Sequence, residues 1–133
     1  KKGFIESQLL IDEKKLDAFI DEFKILFKKY EPTITLFSLK NMSGKQKFLR
    51  FEDDKICITF DYVNNKKNLL FMSKVDGLYN KYDILPSIIK DSRISNETFR
   101  NSYKEEFFRF KEALNNFDNK RIYQSEVSNR LKI

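Results

Sequence analysis

The sequence contains no histidine and a single cysteine, Cys57, and each shortage excludes a class of site. Without histidine, the commonest general base and metal ligand is missing, so proton transfer must use lysine, tyrosine, a carboxylate or the substrate. One cysteine excludes an internal disulfide and a cysteine cluster for a metal ion, and no metal site is predicted. No apolar run approaches a membrane-spanning length and no signal-peptide pattern opens the chain, so we expect a cytoplasmic location.

The residues that are present are typical of one globular domain. The chain has 133 residues, 41% of them hydrophobic, with 14 Phe and 6 Tyr, which is enough for a real core. The formal net charge of +6 suggests an anionic partner, such as phosphate, nucleic acid or an acidic protein surface. The chain begins Lys1-Lys2-Gly3 without methionine, so we expect it to be a piece of a longer protein.

Hydrophobic periodicity predicts an α+β fold. Side chains alternate in residues 4–11 and 55–63, as in strands, and residues 13–29 repeat apolar side chains at helical spacing after the cap Asp12. The predicted elements, in order, are a strand at 4–11, a helix at 13–29, a strand at 33–40, a short strand at 48–51, a strand at 55–63, a helix from Asn64 or Asn65, and a fourth main strand at 84–89 leading into Lys90. Read without the short strand, this β-α-β-β-α-β order is typical of ferredoxin-like folds, which have an antiparallel sheet with helices on one face. A further C-terminal helix is predicted over 102–117.

The sheet face that the two helices leave free carries Glu6, Gln8, Lys55, Cys57 and Thr59. An ordinary solvated sheet face is one interpretation of this mixture. The other is that the face covers a cofactor supplied by another domain.

The segment from Lys90 to Tyr103 combines a charge cluster with a helix start. Ser95 is a good N-cap, Glu97 lies in the first turn, and Phe99 and Tyr103 follow at i and i+4. On spacing alone, the segment is a solvated loop followed by a capped helix. A lysine at the carboxyl end of a strand is also a common place for a functional site.

Residues 89–103 resemble the block A-K-D-S-R-x-x-x-E-x-F-x-x-x-Y in the C-terminal substrate domain of FAD-linked oxidoreductases of the aldonolactone oxidase and vanillyl-alcohol oxidase type. The branch of that family that the chain resembles most is the decaprenylphosphoryl-ribose oxidases. The tail is similar to the family's closing D-P-x-x-x-F-x-S-D and R-R-L. Four positions depart from it: Asn119, Tyr123, Glu126 and Asn129.

Further resemblances to the same family indicate which residues would line its substrate pocket. Residues 56–60 resemble an I-C-V-D-F strand whose cysteine faces the substrate pocket, which implies that position for Cys57. Residues 36–40 resemble a strand that ends in a pocket lysine, here Lys40. Glu6 and Gln8 stand where the family has two pocket glutamines. Lys55 replaces an asparagine and Asp83-Ile84 a paired glycine, so the polar contacts to substrate have changed.

The resemblance implies that residues 1–133 form the substrate (cap) domain of a larger FAD-dependent oxidoreductase, whose FAD-binding domain is absent from this chain. Such an enzyme oxidises a carbinol of a sugar, aldonolactone or polyprenyl-phospho-sugar and passes hydride to flavin N5. Lys90 matches the family's active-site lysine and would act in catalysis beside the cofactor. The residues implied to bind substrate are Glu6, Gln8, Lys40, Lys55 and Cys57.

The implied partners are the chain's own N-terminal FAD-binding domain and a sugar-type substrate, with or without a phosphate. A lipid-linked substrate would bring the protein to the inner face of the membrane. The fragment by itself is expected to be inactive.

Two other classes of function stay open. A β-α-β-β-α-β domain with a net positive charge is also typical of RNA-recognition modules. Residues 47–51 interleave basic and aromatic side chains, as such modules often do. Those residues lack the usual consensus glycines, and such a module would not explain the blocks around Lys90 and Ser125, so we expect no nucleic-acid partner. A purely structural interaction domain would show no ligand dependence.

Overall fold

The computed structural model describes residues 3–44, 48–49 and 54–133. Its elements, in chain order, are β1 (Phe4–Ile11), α1 (Glu13–Tyr30), β2 (Ile34–Met42), β3 (Lys55–Val63), α2 (Lys66–Asp76), α3 (Tyr79–Tyr82), β4 (Leu85–Pro86), α4 (Asn96–Tyr103), α5 (Glu105–Phe117) and α6 (Glu126–Leu131). No helix within these ranges is long and apolar enough to cross a membrane. The strand predicted over 48–51 lies partly outside the described residues, and Phe48 and Leu49 form a bend rather than a strand.

The four strands form one antiparallel sheet in the order β2-β3-β1-β4. In the β1–β3 register, Gln8 lies opposite Thr59 and Leu10 lies opposite Cys57. On the other side of β3, Lys40 of β2 lies opposite Cys57. The predicted α+β class, with an antiparallel sheet and several helices, is confirmed.

The first two helices cover the sheet face opposite to Cys57. Phe23 of α1 stacks on Phe60 of β3 with ring centroids 5.4 Å apart, and Phe71 of α2 meets Phe23 edge-on at 5.4 Å. Because side chains alternate along a strand, Phe60 and Cys57 point to opposite faces. Burial of each such aromatic ring stabilises the fold by roughly 1.5–3 kcal/mol. The candidate site residues on the Cys57 face are therefore not covered by α1 or α2.

The helix starts lie where the capping residues predict them. Asp12 accepts a hydrogen bond from the Lys14 N–H, and Asn65 accepts one from the Asn68 N–H, both at 2.9 Å. Ser95 caps α4 by accepting from the Thr98 N–H at 3.1 Å. Each cap satisfies a backbone donor that the first helical turn leaves without a partner.

The fourth strand is much shorter than the predicted 84–89. Only Leu85 and Pro86 pair with β1, and Pro86 has no N–H to donate to that strand. The Ser87 N–H donates to the Gln8 carbonyl at 2.9 Å, and the Asp91 N–H then donates to the Ser87 carbonyl at 3.0 Å. The chain turns between these two bonds, so Lys90 lies in a turn and not at the end of a strand.

The helix predicted over 102–117 begins at Glu105, and Ser102 and Tyr103 belong to α4, the helix that Ser95 caps. Lys104 separates α4 from α5 with a φ of 50° and a ψ of −123°, a positive-φ conformation that ends α4. Tyr103 and Phe107 on either side are both buried, and the Tyr103 hydroxyl donates to the Pro86 carbonyl at 2.8 Å. The break lets both aromatic side chains reach the core.

The sheet face expected to be free is partly closed. Leu10, Cys57 and Thr59 on this face are 0%, 2% and 5% exposed. Phe48 in the β2–β3 connection meets Phe110 of α5 with ring centroids 6.1 Å apart. Since α5 follows the turn at the β4 edge, it brings apolar side chains round to this side of the sheet. The candidate site is therefore bounded at one side by Phe48 and Phe110 as well as by the sheet beneath it.

Candidate functional site

Lys90, Glu6 and Gln8 form a polar cluster beside the sheet. The Lys90 Nζ donates to Glu6 Oε2 at 3.2 Å, and the Gln8 Nε2 donates to Glu6 Oε1 at 3.3 Å. Glu6 and Gln8 share one face of β1 because they are two residues apart. The Lys90 and Glu6 side chains are 47% and 32% exposed, so a ligand can reach both.

The polar cluster continues across the sheet onto β3 and β2. Thr59 lies opposite Gln8, and the Thr59 Oγ1 is 3.9 Å from the Cys57 Sγ. Burial raises the pKa of the Cys57 thiol, against the smaller effects of the Thr59 hydrogen bond and the Lys40 charge. The thiol is therefore protonated at neutral pH and acts as a small apolar wall group. Lys40 lies opposite Cys57 and is exposed.

Lys55 lies on the same face at the start of β3, two residues before Cys57. Its register partner on β2 is Met42, so it sits one row beyond the pair of Lys40 and Cys57. All the predicted site residues thus share one side of the sheet. Lys90, Glu6 and Gln8 are joined by hydrogen bonds, whereas Lys55 is at the periphery.

An apolar cavity of about 360 Å³ opens beside Gln8 and Lys90. Its apolar walls come from the end of β2, the β2–β3 connection, the turn after β4, and the helices α4 and α5. The side chains that form them are Met42, Phe48, Leu49, Ile88, Ile89, Tyr103 and Phe110. A cavity with apolar walls and a charged rim is the usual form of a small-molecule site.

The residue after Lys90 is held by a buried network. Asp91 is 0% exposed, and its Oδ2 accepts from the Ser7 hydroxyl at 2.9 Å and from the Arg93 Nη2 at 3.0 Å. Its Oδ1 accepts from the backbone N–H groups of Arg93 and Ile94 at 2.9 and 3.0 Å. Ser7 lies between Glu6 and Gln8 in β1, so this network fixes the Lys90 turn against the strand that carries its partners.

Arg93 extends the network to α2 and β3. Its guanidinium forms a two-point ion pair with Asp76, one bond of which is 2.9 Å, and its Nε donates to the Tyr62 hydroxyl at 3.0 Å. Burial alone would lower the pKa of Arg93, but hydrogen bonds to Asp76 and the charges of Asp91 and Asp76 raise it, so it stays charged. Burial also raises the pKa values of Asp76 and Tyr62.

The C-terminal sequence block is tied to the same turn. Arg130 of α6 donates to the backbone carbonyls of Asp91, at 3.1 Å, and Ile94. Asp118 accepts from the N–H groups of Ile122 and Tyr123 at 2.8 and 2.7 Å. Through Arg130, α6 is therefore held against the segment that follows Lys90.

Sequence reasoning did not identify the buried Asp91 and the partly buried Arg93 and Arg130 as supports of the site. The available signal was that Asp91 and Arg93 flank a serine directly after Lys90, in a segment that otherwise reads as a solvated loop. Within the described ranges, no three carboxylate or thiol side chains gather closely enough to hold a metal ion.

Comparison of the chain with protein-family models and with curated proteins gives no match.

Proposed function

We propose that this chain is the substrate-binding part of an FAD-linked oxidoreductase that oxidises a carbinol of a sugar-type substrate. The observation that carries the proposal is the hydrogen-bonded cluster of Lys90, Glu6 and Gln8 at the mouth of an apolar cavity. The cluster lies on the sheet face opposite to α1. The proposal requires this face to be accessible to a second domain.

The described residues fit only part of an FAD molecule. The chain has three isolated glycines and no glycine-rich loop of the kind that cradles a pyrophosphate, so the bulk of FAD would be held elsewhere. Cys57 and Thr59 at the centre of this face are buried, so the accessible groups that a flavin could meet are Lys90, Glu6 and Lys40. Bound FAD would supply the hydride acceptor.

The side chains of this chain would position the substrate and stabilise the negative charge that develops during the reaction. Lys90 and Lys40 are cations suited to anchoring a hydroxyl or phosphate and to stabilising negative charge near the reacting atoms. Glu6 accepts a hydrogen bond from Lys90, so the Glu6 carboxylate could take the hydroxyl proton while the Lys90 ammonium stabilises the negative charge that develops on the oxygen. Gln8 orients the Glu6 carboxylate.

We further propose that the sheet is ferredoxin-like. The order β2-β3-β1-β4, read from the other edge, is 4-1-3-2, and this supports the assignment. The RNA-binding alternative gains no support from the same sheet. Phe60 packs against α1 and Tyr62 bonds to Arg93 on the helix-covered side, so neither aromatic ring is offered to a base on the other face.

The test is made on the full-length protein that contains this chain. Purified protein should carry FAD, measured by its visible absorbance. Lys90→Ala should leave FAD content and folding nearly unchanged, because an exposed lysine adds little stability. Flavin reduction by substrate, followed by stopped-flow bleaching, should slow by roughly a hundredfold or more.

Lys24→Ala is the matched control. Lys24 is also an exposed lysine paired with a carboxylate, Asp21 at 3.2 Å, but it lies on α1 and away from the cavity. The control should reduce flavin at the wild-type rate. A flavin-free protein would refute the function, whereas a flavoprotein with an undiminished rate in Lys90→Ala would refute only the role of Lys90.

A further inference from the structure

A second cavity, of about 330 Å³, lies beside α5 and is lined by basic side chains. Its walls are Arg100 of α4, Phe107, Phe108 and Lys111 of α5, Lys132 after α6, and Asn96. It shares no lining residue with the cavity beside Lys90. No acidic side chain is among its walls, so three positive charges surround one concave space.

These three cations lack the ion pairs that several other described lysines form. Lys15, Lys24, Lys67, Lys81, Lys90 and Lys104 each lie within 4 Å of a carboxylate. Within residues 3–44, 48–49 and 54–133, Arg100, Lys111 and Lys132 form no such ion pair. Like charges gathered without counter-charges repel one another, and a bound anion removes that cost.

The site is held in shape by its aromatic wall and by the end of α6. The Arg100 guanidinium lies over the rings of Phe107 and Phe108, with its Cζ 5.7 and 5.4 Å from their centroids. Stacking on rings restricts the side chain and leaves its N–H edge free to bind an anion. The guanidinium is thus ordered before any ligand arrives.

Lys132 is positioned by the residues on either side of it. Leu131 and Ile133 are 0% and 5% exposed, and the Asn96 Nδ2 donates to the Leu131 carbonyl. The Arg121 Nη2 donates to the Ile133 carbonyl at 2.6 Å. The backbone of Lys132 is therefore fixed beside Asn96, although its side chain is exposed.

We propose that this cavity is a binding site for a phosphate-bearing small molecule with two or more negative charges. Arginine binds phosphate oxygens through two parallel N–H bonds, and lysines add point charges around them. A third, larger cavity of about 630 Å³ shares Arg100 and Phe108 and adds Asn101, Ser102 and Lys104, together with Asp83, whose carboxylate pairs with Lys104 at 3.4 Å. It offers room and polar groups for the remainder of such a molecule. The site is separate from the proposed oxidoreductase site and does not depend on it.

Inorganic pyrophosphate is the probe, titrated calorimetrically into the full chain at low and moderate salt. Binding should weaken as salt rises, and Arg100→Gln and Lys132→Gln should each weaken it by roughly tenfold, as for loss of a charged hydrogen bond. Both side chains are exposed, so circular dichroism should show unchanged folding. Lys24→Gln, which removes a lysine of α1, should bind like the wild type.

Three results would overturn the proposal: no heat of binding at millimolar pyrophosphate, equal weakening by Lys24→Gln, or wild-type affinity in Arg100→Gln. A single-stranded RNA that binds more tightly than pyrophosphate, and is released by Phe108→Ala, would replace the small molecule with a nucleic acid.

Discussion

Replacing Asp91 with asparagine should destabilise the protein strongly, although the two side chains are the same size. The carboxylate accepts four hydrogen bonds, from the Ser7 hydroxyl, the Arg93 guanidinium and the backbone N–H groups of Arg93 and Ile94. An asparagine keeps one accepting oxygen and presents an NH₂ group in place of the other. If the oxygen keeps the two backbone donors, the NH₂ group faces the Arg93 guanidinium, which cannot accept a hydrogen bond.

The expected loss follows from the burial of the pair. Asp91 is 0% and Arg93 14% exposed at the side chain, so the substitution leaves a largely buried guanidinium with one carboxylate, Asp76, instead of two. Removing one partner of a buried ion pair costs roughly 3–5 kcal/mol. That is a large part of the roughly 5–15 kcal/mol by which small domains are folded.

Urea unfolding followed by circular dichroism measures the effect. With an m-value of about 2 kcal/mol per molar, the midpoint should fall by on the order of 2 M. Asp83→Asn is the control, because Asp83 is 58% exposed and pairs with Lys15 and Lys104 at the surface. It should cost less than about 1 kcal/mol. If Asp91→Asn is as mild as Asp83→Asn, the buried network does not support the Lys90 turn as described.

Two more perturbations test the surface charges and the helix break. Hydrogen bonds from Lys81 and Lys15 hold the pKa values of Glu22 and Asp83 below their ordinary range. The unfolded chain then binds these protons at higher pH than the folded chain, so the stabilisation is present above about pH 4 and is lost as pH falls through the lowered values. Combining Glu22→Gln with Asp83→Asn should flatten the fall of the urea midpoint below that pH, and an unchanged slope would contradict the assignment. Lys104→Gly should be more stable than Lys104→Ala by roughly 1 kcal/mol, because glycine tolerates the φ of 50°, and equal midpoints would show that no strain is stored there.

The elements predicted correctly are those whose signals are local. Asp12 and Ser95 cap helices because an oxygen two or three residues from the first free N–H groups is enough to satisfy one of them. The alternation in β1 and β3 predicts which side chains share a face, and the register of the two strands agrees with it.

Two elements differ from their predicted bounds, and in both the hydrophobic pattern alone was misleading. Residues 84–89 are apolar enough for a strand, but Pro86 ends the pairing and the Asp91 N–H bonds back to Ser87. The run 102–117 is helical in pattern, yet Lys104, with a φ of 50°, separates α4 from α5, and Tyr103 and Phe107 on either side of it are both buried. Pro86 is a local signal against a long strand, whereas nothing in the residues around Lys104 predicts its backbone conformation.

The sequence by itself determined which side chains could make a site: Glu6, Gln8 and Cys57 by their common strand face, and Lys90 by its position before a capped helix. Only the tertiary structure decided that Lys90 meets Glu6 and that Asp91 meets Ser7, because each pair lies 84 residues apart in the chain. Such contacts depend on how the whole sheet and its helices pack. The physical reason is that a hydrogen bond between distant residues forms only after the intervening chain has been ordered by its core, and that ordering is a property of all the packed side chains together.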